Sequence, residues 1–390
     1  MLFETLKSGY DAHVLPTYAR YPVAFAKGDG CRLWDTGGKE YIDFASGIGV
    51  CSVGHAHPAW VKAVAAQAAT LAHVSNLYYT EPGAELAQRL CQMASMKGAF
   101  FANSGAEANE GLIKLARKYS RDNYGQNRAV ILTLNGSFHG RTITTLTATG
   151  QDHFHQHFHP FTPGFRHVQP GDLAALEAQA DDVCALLLEP VQGEGGVLPL
   201  DAEYVQQAAE ICRQRDWLLL MDEVQTGIGR TGHWFGFQNF GVVPDALSFA
   251  KGIAGGLPLG GFLVNEKLCQ TLQAGDHGTT YGGNPLCAAA ALATLDILAP
   301  VVASVNEKGQ YLRSRIEAMN LVTRGKGLMI GIKIEGTPPR EINEKLLQAG
   351  LVALTAGTDA LRFLPPLVID KTDMDAGLEI LERVFPSNQD

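Results

Sequence analysis

The chain has 390 residues, 46% of them hydrophobic and 18% charged, the balance of a globular protein with enough apolar side chains for a large core. Its 40 acidic residues against 31 basic ones leave a formal net charge of -9, which argues against nucleic acid or an anionic membrane as a partner and requires any small anionic substrate to meet local arginines. The seven cysteines are scattered without a CxxC pair, and no apolar run follows a basic start or is long enough to span a bilayer; no zinc site or disulfide framework is expected, and the expected location is the cytoplasm.

Near the N-terminus, CRLWDTGGKEYIDFASGIGV reads as a hairpin turning at Gly37-Gly38 and running into a glycine-bearing loop. From about Lys97 to about Asn265, short apolar runs alternate with helical patterns, the sign of βαβ units and a mainly parallel sheet. Six runs are predicted strands: Gly98 to Asn103, Ala129 to Leu134, Cys184 to Pro190, Trp217 to Asp222, Ala246 to Ala250 and Gly261 to Asn265. Most are apolar without alternation, as strands covered on both faces are. An Ala-rich helical stretch then leads from Leu286 to Glu307, and a mixed α/β tail ends near Phe385. The expected arrangement is a large domain over residues 46–284 and a small one built from 1–45 and 285–390.

Several of these elements carry chemistry at their ends. NSGAEANEGLIKLARKY follows a strand and opens a helix, with Ser104 and Glu107 in the S-x-x-E relation of a capping box. With Gly105 allowing close approach, its first turn suits a phosphate; an ordinary capped helix is the plainer reading. In GSFHGRT, Phe138, His139 and Arg141 share one loop, and Arg141 is able to grip a carboxylate through two parallel hydrogen bonds, or to make a surface ion pair.

HFHQHFH spaces four imidazoles two apart, His153 to His159, which on a strand would share a face and invites a metal hypothesis, but no paired cysteines or acids accompany it. Asp222 and Glu223 come directly after a buried strand, at the edge where open α/β sheets place ligands, and a carboxylate there needs a cationic partner such as a protonated ring nitrogen unless it faces solvent. Gly227, Gly229 and Gly232 spell a dinucleotide-binding pattern without the strand–turn–helix setting that it requires. Lys251 follows an apolar strand and precedes a glycine-rich turn; it is either a solvated lysine or a partly desolvated nucleophile. In HGTTYGGNP, Thr279 and Thr280 stand before a Gly-Gly turn that by itself is only a loop.

Taken together and in order, NSGAEANE, FHGRT, EPVQGEGG, DEVQTGIGRTG, AKGIAGGLPLGG and GTTYGGNP resemble the class III pyridoxal-phosphate aminotransferases, and within them the bacterial branch that acts on acylated ornithine. The likeness runs from about His73 through Arg324–Ile332 to Leu361–Pro366. It implies a fold-type I architecture, with a mostly parallel seven-stranded sheet in the large domain and a small α/β domain from both termini. It implies a homodimer with shared active sites and pyridoxal 5'-phosphate as cofactor; no metal is expected, since the histidine run belongs to none of these motifs.

By motif position, Ser104, Gly105 and Ala106 are implied to bind the cofactor phosphate and Phe138 to stack on its ring. Asp222 would pair with the ring nitrogen and Gln225 with the ring oxygen. His139, Glu223 and Val224 would join the cofactor site, Lys251 would hold the cofactor through an imine, and Thr280 would reach the phosphate of the neighbouring subunit. Arg141 would take a substrate carboxylate, and Arg362 the α-carboxylate of glutamate when not masked by Glu194. Thr279, Ser in many relatives, would touch the acylated donor.

The implied reaction moves the terminal amino group of N2-acetyl-L-ornithine to 2-oxoglutarate, a step of arginine biosynthesis. Succinylornithine and succinyl-diaminopimelate transaminases share the same residues, because an acyl group is read by pocket shape. Aminomutases and ω-amino-acid decarboxylases of the same fold are set apart by Arg141, Glu194 and Arg362. A non-catalytic binding protein is expected to have lost Lys251 or Asp222, and both are present.

Overall fold

The computed structural model describes residues 3–385; residues 1–2 and 386–390, the outer ends of the expected small domain, lie outside the described residues. At the centre is a seven-stranded sheet formed by β1 (Gly98–Ala102), β2 (Val130–Leu134), β3 (Phe165–Val168), β4 (Val183–Leu188), β5 (Leu218–Asp222), β6 (Ala246–Phe249) and β7 (Gly260–Val264). Their order is β1-β7-β6-β5-β4-β2-β3. Only β7 runs antiparallel to its neighbours, so the carboxyl ends of the other six meet along one edge.

The unbroken apolar runs have a direct cause. Along a strand, successive side chains face opposite ways, and both faces are covered. Leu132, Leu134, Leu186, Leu188, Leu219, Met221, Leu247 and Phe249 enter one core. Ile131, Ala185, Leu187, Leu218, Leu220 and Ala246 enter another, with Leu112, Ile113, Leu115 and Ala116 of the helix Gly105–Tyr124, called α1 here. Phe165–Val168 is the strand that the residues alone did not reveal: four residues, one of them buried, at the edge of the sheet. So short an edge strand carries little hydrophobic signal.

The hairpin turning at Gly37-Gly38 is present, Arg32–Asp35 against Glu40–Asp43 with Arg32 opposite Ile42. Its second strand also pairs in parallel with Leu351–Val352, so segments from both chain ends share a four-stranded sheet. A second four-stranded sheet contains Thr323–Lys326, Met329–Lys333, Leu354–Ala356 and Ala360–Phe363. The Ala-rich stretch is not one helix. Helix α2 (Pro285–Leu298) stops before Pro300, and a separate helix spans Val305–Glu317, because proline disfavours a helical residue before it and cannot supply the backbone donor.

The histidine run is not a strand either: Asp152–Phe154 form a 3-10 turn, and the residues after it are irregular. The GxGxxG glycines lie in consecutive turns rather than at a helix start. Asp245, the acid at the distance where such a pattern would require a ribose-binding carboxylate, accepts instead from the Leu219 backbone N–H and the Asn265 side chain. Among the described residues, no single helix is long and apolar enough to cross a membrane, and no cluster of three metal-ligating side chains occurs.

Candidate active site

A cleft of about 390 Å³ opens at the carboxyl edge of the central sheet, and Ser104, Gly105, Ala106, Phe138, His139, Arg141, Asp222, Val224, Gln225 and Lys251 all line it. Each comes from a strand end, the loop beyond it or the first turn of the following helix, which is why residues far apart in sequence converge.

Helix α1 begins in this cleft. The Ser104 hydroxyl caps it by accepting from the Glu107 backbone N–H at 3.2 Å. The reciprocal backbone bond is displaced by one residue: Glu107 accepts from the Asn103 N–H at 2.7 Å rather than from the Ser104 N–H. The first backbone N–H groups of a 20-residue helix have no intrahelical acceptor, and with the helix dipole they favour an anion. A Cβ at Gly105 would lie 2.6 Å from Val224, so glycine is what lets these two loops approach.

Asp222, the last residue of β5, is 4% exposed. One carboxylate oxygen accepts from Asn109 at 2.7 Å and from His139 Nδ1 at 2.8 Å. The other accepts from the Val224 N–H at 3.0 Å and from Ser248 at 3.3 Å. His139 is itself buried, and its Nε2 has no partner among the described residues. A carboxylate held by four donors at the floor of a cleft is set to pair with a cation.

Lys251 follows β6 with a left-handed backbone, φ +46°, an unusual conformation for a residue other than glycine. Its amine makes no hydrogen bond among the described residues. Burial pushes the amine below the ordinary lysine range; Glu194, Asp222 and Glu189 oppose this and Arg362 adds to it.

The other charged pair is Arg362 and Glu194, 2.7 Å apart, with Arg362 also donating to Gln225 Oε1 at 3.1 Å. Burial alone would raise the Glu194 carboxyl, but the charge and hydrogen bond of Arg362, with Lys251, hold it below the usual range. The guanidinium is almost wholly buried, while Glu194 keeps a side chain about a third exposed. The carboxylate is therefore the member able to swing away.

Five of the expected site residues are absent from the lining of this cleft: Glu194 and Arg362, which reach it through Gln225, and Glu223, Thr279 and Thr280. Glu223, 1% exposed, accepts from Thr226 at 2.5 Å and from the Gly236 and Phe237 N–H groups at 2.7 and 2.6 Å, and burial pushes it up to about 7. Thr279 accepts from Asn103 at 3.1 Å and from the Gly282 N–H at 3.3 Å. Thr280 is exposed, away from the cleft of its own chain.

Two residues in the cleft escaped the sequence reading. Glu189, just after β4, accepts from the Phe138 N–H at 2.9 Å and the Gly193 N–H at 3.3 Å, and burial, opposed by His139, pushes it up to about 7. The strand-end rule that drew attention to Asp222 applies to it equally. Asn109 stands on the α1 face of Leu112, Ile113 and Ala116, and a lone amide on an apolar face was its available signal.

These residues fit pyridoxal phosphate: helix-end donors for a phosphate, a ring at Phe138, a hydrogen-bonded carboxylate at Asp222 and an unpaired amine at Lys251. The comparisons with known proteins agree. The family model for aminotransferase class-III matches residues 15–385. An acetylornithine aminotransferase of Haemophilus ducreyi is 50% identical over 379 residues, 96% of each chain. A succinylornithine transaminase/acetylornithine aminotransferase of Pseudomonas aeruginosa is 43% identical over 97% of this chain and 96% of its own. Among solved structures, an ornithine aminotransferase of Toxoplasma gondii, described with partial occupancy of PLP at its active site, superposes with a TM-score of 0.94 at 30% identity, over 98% of this chain and 94% of that one. With the match extending along nearly the whole chain, and with a cleft fitted to that cofactor, the protein belongs to the class-III aminotransferases, which depend on pyridoxal 5'-phosphate.

Proposed function

We propose that the enzyme transfers the terminal amino group of N2-acetyl-L-ornithine to 2-oxoglutarate, giving N-acetyl-L-glutamate 5-semialdehyde and L-glutamate in arginine biosynthesis. The observation that carries this reading is a pair of unlike arginines: Arg141, which lines the cleft and meets no acid among the described residues, and Arg362, which bonds to Gln225 of the lining and is masked by Glu194. Two substrates must share the pocket, one reacting at a terminal amine and the other beside a carboxylate. Arg141 serves a carboxylate common to both. Arg362 serves the second carboxylate, present only on 2-oxoglutarate and glutamate, and the acylated donor leaves it paired with Glu194.

Pyridoxal phosphate, when bound, supplies an electron sink and a carrier for the amino group. The protein supplies the rest. Ser104, Gly105 and Ala106 bind the phosphate through donors at the head of α1. Asp222, fixed in place by its four donors, would pair with the ring nitrogen and hold a proton there, and Phe138 would stack on the ring. Gln225 offers a hydrogen bond to the ring oxygen. Lys251 Nζ, less basic than an ordinary lysine, takes the proton from the donor's amine-bearing carbon and returns one on the other side of the transfer.

The same proposal includes a homodimer, in which Thr280 reaches the neighbouring cleft. Its support is the exposure of Leu77 (85%), Tyr78 (66%), Tyr281 (64%) and Tyr79 together with Thr280, since side chains of this kind are seldom left in water. A cytoplasmic location is supported by the seven cysteines, all of them free.

The purified protein is expected to be yellow and to bleach with borohydride, and Lys251→Ala is expected to abolish both the bleaching and turnover; a colourless protein that takes up no cofactor would overturn the reading. For the donor, kcat/KM compared across N-acetylornithine, N-succinylornithine, ornithine and N-succinyl-diaminopimelate decides. A wide margin for plain ornithine would refute the acylornithine assignment. The two names carried by the Pseudomonas aeruginosa relative favour succinylornithine as the second reading.

A further inference from the structure

Arg141 takes part in none of the hydrogen bonds or ion pairs among the described residues, yet it is not loose. Its guanidinium carbon lies 4.2 Å from the centroid of the Phe154 ring and 5.5 Å from that of Phe138. The two rings meet edge to face at 5.7 Å, and the His153 ring lies against Phe154, centroids 3.9 Å apart.

Phe154 is carried by a segment sewn to the loop that holds Phe138 and Arg141. Gly150 bridges to Asn135, and the Gly136 N–H donates to the Gly150 carbonyl at 2.7 Å. The Gly150 N–H donates to the Ser137 hydroxyl, and the Gln151 side chain to the Ser137 carbonyl, both at 3.0 Å. On the far side, His155 Nε2 lies 2.8 Å from the Leu146 carbonyl. Only glycine fits at position 150, where a Cβ would stand 2.1 Å from the Leu134 carbonyl oxygen.

We propose that Phe154 is a positioning residue for substrate recognition: by stacking on the Arg141 guanidinium, it holds that group at the cleft with its hydrogen-bonding edge free for a substrate carboxylate. The N–H donors of a guanidinium lie in its plane, so stacking uses the faces and leaves the donors available. An acidic partner would do the opposite, as Glu194 does to Arg362. The arrangement gives two of the four histidines of the run a place without a metal: His155 tethers the segment and His153 backs the ring. The inference rests on Arg141 as the carboxylate-binding arginine of the proposed function.

The test uses the cofactor-loaded enzyme and N-acetylnorvaline, a carboxylate ligand without the terminal amine and so unable to react. Phe154→Leu is expected to raise its calorimetric Kd, and the KM for both N-acetylornithine and 2-oxoglutarate, by about 3- to 30-fold, with kcat changing less than KM. Phe154→Tyr restores binding, and in an Arg141→Ala background Phe154→Leu adds nothing. Phe154→Met takes the place of Phe154→Leu should the latter fail to fold. A change of less than about twofold, or an equal change with and without Arg141, overturns the role of Phe154 and leaves that of Arg141 intact. If Arg141→Ala itself leaves the Kd unaltered, the carboxylate reading beneath it falls.

Discussion

Arg362 is buried beside Glu194 and Gln225, and taking a substrate carboxylate means exchanging one anionic partner for another. The ion pair therefore sets the affinity for the dicarboxylate without touching the acylated donor. Glu194→Gln removes the competitor, and a charge-assisted bond is worth about 1.5–3 kcal/mol. The KM for 2-oxoglutarate is expected to fall by about tenfold or more relative to that for N-acetylornithine. Steady-state kinetics with each substrate varied in turn would show this; an unchanged ratio would mean that Glu194 does not mask Arg362. Because Arg362 and Lys251 hold the Glu194 carboxyl below its usual range, the mask persists throughout neutral pH.

At the level of elements, close approaches at glycine fix how helices sit on sheets. Gly111, in the middle of α1, faces Phe262 of β7, where an added Cβ would meet the ring at 2.3 Å. That ring is stacked on Phe100, a contact it would have to disturb in order to move. Gly111→Ala gains about 1 kcal/mol of helix propensity, but overpacking of this kind costs about 1–3 kcal/mol, so a net loss in denaturant midpoint is expected. Gly9, with nothing within 4 Å, is the internal control: Gly9→Ala is expected to be neutral or mildly stabilising.

A second junction is titratable. His55 Nε2 lies 2.7 Å from Asp43 Oδ2, joining the loop before Pro58 to the end of the Glu40–Asp43 strand. This hydrogen bond, with a further one donated to Cys51, pushes His55 up to about 10 from an ordinary 6.5. A raised histidine contributes stability that is fully present below its unfolded value and is lost as pH rises through the folded one. Thermal midpoints are therefore expected to decline between about 6.5 and about 10 more steeply in the native protein than in His55→Gln; parallel curves would exclude this pair as the cause.

For the whole molecule, the exposed Leu77, Tyr78, Tyr79 and Tyr281 and the position of Thr280 outside its own cleft make one expectation: association and cofactor retention go together. A Leu77→Asp and Tyr79→Asp double variant is expected to sediment at the mass of one chain and to lose its yellow absorbance on dilution. A variant that becomes monomeric yet holds the cofactor as tightly as before would separate the two properties and count against a shared site.

Much of the fold was written in local pattern. Unbroken apolar runs such as WLLLMD reported strands covered on both faces, and Gly37-Gly38 reported the hairpin, because burial and turn geometry act over a few residues. The strand Phe165–Val168 and the break at Pro300 were not read, the first because a short edge strand buries too little, the second because the Ala-rich pattern masked the helix end. At the site, strand ends followed by Asp222 or Lys251 marked where chemistry sits. What only the tertiary structure decided is which groups meet: that Asn109 and His139 hold Asp222, that Glu189 sits beside Phe138, that Glu223 faces away from the cleft, and that Phe154 backs Arg141. Such contacts join residues up to more than a hundred positions apart, and a linear pattern records what each residue is but not the neighbour that packing assigns to it.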